Sequence, residues 1–318
     1  MMRLRAAAWF SLAICRLLIT ASKRLCEAPS VARQSMSAKG QAGTSDAQLA
    51  QARSLLRSTQ SSFQVVQTFY QQMTVGRAVD GAMAPCESAT IALGDTSASG
   101  HVLLSSIVPG GALTADVWLT YEPGGWKVRA TQISKSAIGR NDGGHVWEMA
   151  RAQRDQGHAL TASILYYVAS QLLDRGQFLQ TRTFADFQRD AHTFTTAPEV
   201  RGAAPYTWRF GEDAFTVSLV NYTSTSDGHI VLDIHQRLPA WPGEVGADAR
   251  NRALIDAFNI AHPEWKQIAD TLAVRTEMPE AGHLFGTTFD RDRGYSDPPL
   301  PPGAPPVEVR TEPSPAAP

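Results

Sequence analysis

Apolar positions recur at intervals of three and four between Val146 and Leu173, the clearest helical periodicity in the chain. Val146, Met149, Ala150 and Gln153 form a first run that stops at Gly157. Ala159, Ala162, Ile164, Leu165, Val168, Ala169, Leu172 and Leu173 form a second, which stops at Gly176. Glycine leaves a helix at little steric cost. Residues 143–176 are therefore predicted to be two helices folded back on each other, joining two strand-rich blocks and burying their apolar sides. A helix is also predicted upstream. Ser45 or Asp46 caps it, and it runs through Leu49, Ala52, Leu55 and Leu56, then through Phe63, Val66, Phe69, Tyr70 and Met73, to end at Val75-Gly76.

Between these helical stretches the pattern changes to extended segments rich in β-branched and aromatic residues. Residues 88–93, 101–108, 113–121 and 126–133 are predicted strands, joined by turns such as Pro109-Gly110-Gly111 and Pro123-Gly124-Gly125. Alternation along Val117–Tyr121 and Trp126–Ala130 predicts one packed and one wetter face, and the short links predict antiparallel neighbours. After the hairpin, Phe184 and Phe187 suit a short helix, with the rings of Phe178, Phe184, Phe187 and Phe194 anchoring the connection. A second strand set follows at 206–210, 215–222 and 229–236. A helix is then predicted over 247–261, and His262-Pro263 breaks it. Pro263 suits the first turn of another helix through Trp265, Ile268, Ala269 and Leu272, with an edge strand over 271–276 as the alternative. From 280 onward periodicity is lost and proline dominates.

The fold class that results is α+β. It comprises an N-terminal helix with a four-stranded antiparallel meander, a central helical hairpin, and a second small antiparallel sheet with C-terminal helices. The boundaries are 1–28 for a targeting segment, 29–44 for a linker, 45–134 for helix plus sheet, 135–204 for the hairpin and connection, 205–279 for the second sheet with helices, and 280–318 for a disordered Pro-rich tail. Whether the strand sets form one sheet or two is left open.

Charge narrows the function classes. In 318 residues, 29 basic and 30 acidic side chains nearly cancel. That argues against a broad nucleic-acid footprint, which needs a basic face to displace counterions. Arg3 and Arg5 precede the apolar run Ala6–Ile14, which Arg16 interrupts before Leu17–Ala21. This is the pattern of a secretory signal, cleaved between Ala21 and Ala28, and it is too short for a spanning helix of about 20 residues. Export to the periplasm or envelope follows, with membrane attachment only if the segment stays uncleaved; the alternative is a cytoplasmic protein with an adventitious extension. After cleavage Cys86 can be the sole cysteine, and it reads as a small buried hydrophobe.

Two resemblances attach to particular residues. The small residues Ala150, Gly157, Ala162 and Ala169, with Tyr166, make 143–176 resemble a single tetratricopeptide-type hairpin. No second copy follows, although such arrays need about three units. The FYQQM run at 69–73 and the GGWKV hairpin at 124–128 make residues 60–134 resemble nuclear-transport-factor-like and cystatin-like domains. The resemblance implies a curved sheet wrapped on a helix around a cone-shaped pocket, where enzymes of that superfamily place an Asp-His pair. Asp95, His101 and Asp116 are the residues available for such a role, with His101 and Asp116 as acid/base candidates; exposed polar residues are the plainer interpretation. Tyr166, Tyr167, Phe184 and Phe187 are candidates for a ligand or partner surface. His229, Asp233 and His235 share parity on one strand and could hold a transition metal, although a wet sheet face shows the same residues. No phosphate loop, paired-Cys knuckle, nucleophile elbow or HExxH helix occurs. The expectation is therefore a non-catalytic exported envelope protein that binds or scaffolds a protein or peptide through the sheet concavity of residues 84–134 or the groove of the central hairpin, with no cofactor. The alternative is a hydrolase- or isomerase-type enzyme.

Overall fold

The computed structural model describes residues 63–72, 79–83, 87–91, 98–122, 125–176, 179–278 and 282–297. The secretory segment, the linker, the helix start at Ser45-Asp46, Cys86, Asp95, Phe178 and the Pro-rich tail lie outside them. The chain is α+β, and its described residues divide into two compact units. One holds the residues up to Ala152 together with Leu165–Thr195 and Ser224–Gly228. The other holds Gln153–Ile164, Thr196–Thr223 and the residues from His229 on.

In the first unit a five-stranded sheet runs in the order β1 (Gln64–Gln72), β4 (Ala98–Val108), β5 (Gly111–Glu122), β6 (Gly125–Ile138) and β7 (Asn141–Asp142), every neighbouring pair antiparallel. The helix predicted through Phe69 and Tyr70 is a strand instead. Val65, Val66, Thr68, Phe69 and Tyr70 are β-branched or aromatic, and pairing with β4 overrides their helical spacing. The predicted meander also divides. Strand β3 (Glu87–Ile91) leaves the other three to pair with β2 (Val79–Met83) and β8 (Leu179–Thr181) in a separate three-stranded sheet.

Strand β5 is buried from Leu113 to Thr120 without interruption, so the one-wet-face expectation fails there. Val102, Val117, Leu119 and Val128 form an apolar cluster on one face, with Leu104 and Trp126 against it. Thr114, Asp116, Trp118 and Thr120 occupy the other face and are buried as well.

Two helices follow, α1 (Gly143–Asp155) and α2 (Ala159–Leu173), with Asp142 Oδ1 accepting from His145 N at 2.8 Å at the start of α1. Val146, Ala150, Leu165, Tyr166 and Ala169 are buried in the first unit. Gly143 is held close to α2, because a Cβ there would lie 2.8 Å from Leu173 Cγ. Gly157 sits between the helices at φ +83° and Gly176 follows α2 at φ +81°. A third helix, α3 (Arg182–Thr193), is capped by Thr181, whose hydroxyl accepts from Phe184 N at 3.1 Å.

The second unit is built on a six-stranded sheet in the order β14 (Gly294–Tyr295), β13 (His283–Asp290), β12 (Thr271–Met278), β11 (Ile230–Arg237), β10 (Asp213–Ser224) and β9 (Tyr206–Phe210). It is mixed rather than antiparallel, because β11 and β12 run parallel. A parallel pair needs a long crossover. Helix α4 (Gly243–Ala261) and the short 3-10 turn Pro263–Gln267 supply it. The second C-terminal helix is therefore only that turn. Thr271–Met278 is an inner strand, flanked by β11 and β13, and Leu272 and Val274 are fully buried. The loss of order expected from 280 is overturned at 283–290, where β13 pairs along β12. Leu254, Ile255 and Phe258 of α4 are fully buried, with Trp208 stacked on Phe258 at 5.6 Å. Each such side chain contributes about 1.5–3 kcal/mol by leaving water. Among the described residues no helix is long and apolar enough to cross a membrane.

Candidate functional site

The register of β4 and β5 sets His101 opposite Trp118 and Leu103 opposite Asp116. Alternate positions share a face, so the imidazole, the indole and the carboxylate meet on one side of the sheet. His101 Nε2 and Asp116 Oδ1 lie 2.8 Å apart. Arg175, just beyond α2, donates from Nε at 2.9 Å and from Nη2 at 2.7 Å to Asp116 Oδ2. The Trp118 ring lies 3.7 Å from the imidazole, tilted by 34°. A carboxylate so engaged by Arg175 accepts, so His101 carries its proton on Nε2.

His101 is 1% exposed and Asp116 is 0% exposed. Burial pushes the His101 imidazole below its ordinary value. The Arg175 charge acts in the same sense, and the hydrogen bond and charge of Asp116 only oppose it. The imidazole is therefore neutral near pH 7. The two residues that spacing did not force together are thus brought together and sealed, rather than left exposed. Arg175 went unrecognised as their partner, because it lies 59 residues from Asp116 and carries no motif.

A second charged cluster lies on β11 and β12 in the other unit. Asp233 and His235 share a face as their parity requires, but β11 begins at Ile230, and His229 lies outside it, exposed. His235 Nε2 is 3.2 Å from Asp233 Oδ2, and Nδ1 is 3.2 Å from Glu277 Oε2. Arg275 Nε donates to Asp233 Oδ1 at 2.9 Å and to Oδ2 at 3.1 Å. Ser218 Oγ donates to Glu277 Oε1 at 2.5 Å, and Arg237 Nε to the same oxygen at 3.3 Å.

The Asp233 hydrogen bond holds the His235 imidazole above its ordinary value; burial opposes this, and Glu277 adds to it. Burial would raise the carboxyls of Asp233 and Glu277, but the hydrogen bonds from His235, Arg275, Ser218 and Arg237 outweigh it and hold both low. With a carboxylate at each ring nitrogen the imidazolium is the favoured form, and it has no lone pair for a metal. Among the described residues no group of three or more His, Cys, Asp or Glu side chains is arranged to hold a metal ion. Arg275 and Glu277 were missed because 271–276 was not resolved between helix and strand. Had the strand been fixed, their alternation opposite His235 and Arg237 was the available signal.

The aromatic candidates separate. Tyr166 is 5% exposed and Phe187 is 4% exposed. Tyr166 OH donates to Asp190 Oδ2 at 2.8 Å, as Trp147 Nε1 does at 2.7 Å. Phe187 stacks on Phe184 at 6.0 Å and meets the Trp147 edge at 5.8 Å. Tyr166, Phe184 and Phe187 therefore anchor α3 inside the first unit, and Tyr167, 61% exposed, is the one of the four that faces solvent.

Comparison with protein-family models, with curated proteins and with solved structures finds no match to this chain.

Proposed function

We propose that this chain is a non-catalytic exported protein of the bacterial envelope that binds or scaffolds a protein or peptide partner. The observation that carries the proposal is the closure of the His101–Asp116 pair. Both carboxylate oxygens are committed, one to His101 and one to Arg175, and neither His101 nor Asp116 is reachable from solvent. A general base has to come within hydrogen-bond reach of its substrate, whereas a buried carboxylate with both oxygens engaged serves to fix β4, β5 and the residues just beyond α2. Tyr167 is the side chain offered to a partner, a large amphipathic ring held on a helix whose neighbouring positions are buried. Export and the tetratricopeptide-type hairpin belong to the same proposal.

The test is a thermal-shift screen of the full chain against peptide pools. A peptide that raises the midpoint for the wild type and not for Tyr167→Ala, with the free midpoints equal, supports the proposal. A response unchanged by that substitution removes the surface.

The alternative reading, a hydrolase- or isomerase-type enzyme, draws on the same pair, because Asp116 orients a neutral imidazole as in acid/base sites. It requires turnover that His101→Gln abolishes in a variant that still folds.

A further inference from the structure

We propose that the open face of β11 and β12 binds a dianionic oxyanion group, a phosphate or a sulfate, between Arg237 and Arg275, with His235 setting the strength of binding. This site is separate from the peptide-binding surface proposed above and does not depend on it.

The parallel register sets His235 opposite Arg275 and Arg237 opposite Glu277. Arg237 and Arg275 are thus diagonal neighbours on one face, about 7 Å apart at Cβ. Each is tethered through Nε, Arg275 to Asp233 at 2.9 Å and Arg237 to Glu277 at 3.3 Å. A tether through Nε restrains the guanidinium plane, and the terminal nitrogens of such a group are the fork that grips phosphate and sulfate oxygens.

Exposure follows the same order. The Arg275 and Arg237 side chains are 41% and 49% exposed, and those of Asp233 and Glu277 are 10% and 19% exposed. An anion arriving from solvent meets the cations before the carboxylates. The position paired with Arg275 on β13 is Gly286, where even a Cβ would come within 3.8 Å of Arg275 Cγ and 4.0 Å of Nη1. The bare glycine leaves the flank of the guanidinium open.

The charges around His235 decide when an anion is held. Its own strand supplies Asp233 and Arg237, β12 supplies Arg275 and Glu277, and β10 supplies only the Ser218 hydroxyl. From β13, the positions opposite Arg275 and Glu277 are the uncharged Gly286 and Leu284. Two arginines offset two carboxylates. The face is neutral when the imidazole is neutral and carries one net positive charge when it is protonated. One unit charge a few ångströms from a dianion changes its affinity about tenfold in a wet setting.

Sulfate is the clean probe for the pH arm, because its charge is constant from about pH 5.5 to about pH 8 across the histidine range. Inorganic sulfate, and in a parallel arm inorganic phosphate, is titrated into the isotope-labelled full chain and followed by amide shifts. Saturable shifts are expected at 233–237 and 275–277, with sulfate bound about tenfold more tightly at the lower pH. His235→Asn should remove that pH dependence. Arg237→Gln, at a half-exposed side chain, should weaken binding without unfolding the chain, and Arg275→Gln should weaken it further. A saturable response to either ion at those amides upholds the site. No saturable response there, equal sulfate affinity at both pH values, or unchanged binding in Arg237→Gln would overturn it.

Discussion

Asp116 holds two partners that differ in what they lose without it. Arg175, with its side chain 16% exposed, would keep a positive charge with no acceptor in place, and His101 would lose the group that fixes its tautomer. Breaking one side of a buried ion pair costs about 3–5 kcal/mol. Asp116→Ala is expected to lower unfolding stability by about that amount in a urea titration. Arg175→Ala with Asp116 intact should cost a similar amount, and the double variant less than the sum, because the pair acts as a unit. Additive losses would show that the two residues do not stabilise the fold together. The pair itself was only half legible in the sequence. His101 and Asp116 could be named as the acid/base types present, but their union depends on the β4–β5 register and on a guanidinium from beyond α2.

At the scale of elements, the helical hairpin was the most legible feature, because periodicity and two glycines mark it without reference to the rest of the chain. Those glycines work differently from Gly143. Gly157 has φ +83° and nothing within 4 Å of a would-be Cβ, so Gly157→Ala costs only left-handed backbone strain, about 1–2 kcal/mol. At Gly143 the new methyl would meet Leu173 Cγ at 2.8 Å and Leu172 Cβ at 3.1 Å, so Gly143→Ala requires the Leu173 side chain or the start of α1 to shift. The expected cost is about 1–3 kcal/mol of overpacking, accompanied by amide-shift changes on both helices, whereas shifts in Gly157→Ala stay at the turn. Shift changes confined to the site of substitution in both variants would refute the close approach. The N-terminal helix and the second C-terminal helix were misread for one reason. Phe63, Val66, Phe69 and Tyr70, like Trp265, Ile268 and Leu272, have helical spacing. Partner strands far along the chain decided the first case, and in the second the crossover into β12 left only one 3-10 turn.

For the whole molecule, α+β was legible from the alternation of periods, but the arrangement of strands was not. The parallel β11–β12 pair and the departure of β3 to a second small sheet are long-range choices, and no local pattern in those strands records them. The two units respond to pH with opposite sign. His101 has its folded value lowered, so unfolding takes up a proton in acid. The first unit therefore loses stability as pH falls below the unfolded histidine value of about 6.5. His235 has its folded value raised, so its contribution is complete below about 6.5 and is lost as pH rises through the folded value. Hydrogen exchange, corrected for intrinsic rates, should show amides of β4 and β5 losing protection on going from neutral to mildly acidic pH while those of β11 and β12 gain it. Parallel changes in both units would contradict these assignments. Below the carboxylate range the gain reverses, because Asp233 and Glu277 are held low and their contribution disappears on protonation.

The sealed state of His101 is open to direct measurement by imidazole nitrogen NMR across the neutral range. Expected is a neutral ring protonated on Nε2, with a slowly exchanging proton and a titration displaced below the ordinary histidine value of about 6.5. A ring that titrates near its ordinary value, with a rapidly exchanging Nε2 proton, would mean that the pair is open to solvent and would contradict the non-catalytic proposal at its root.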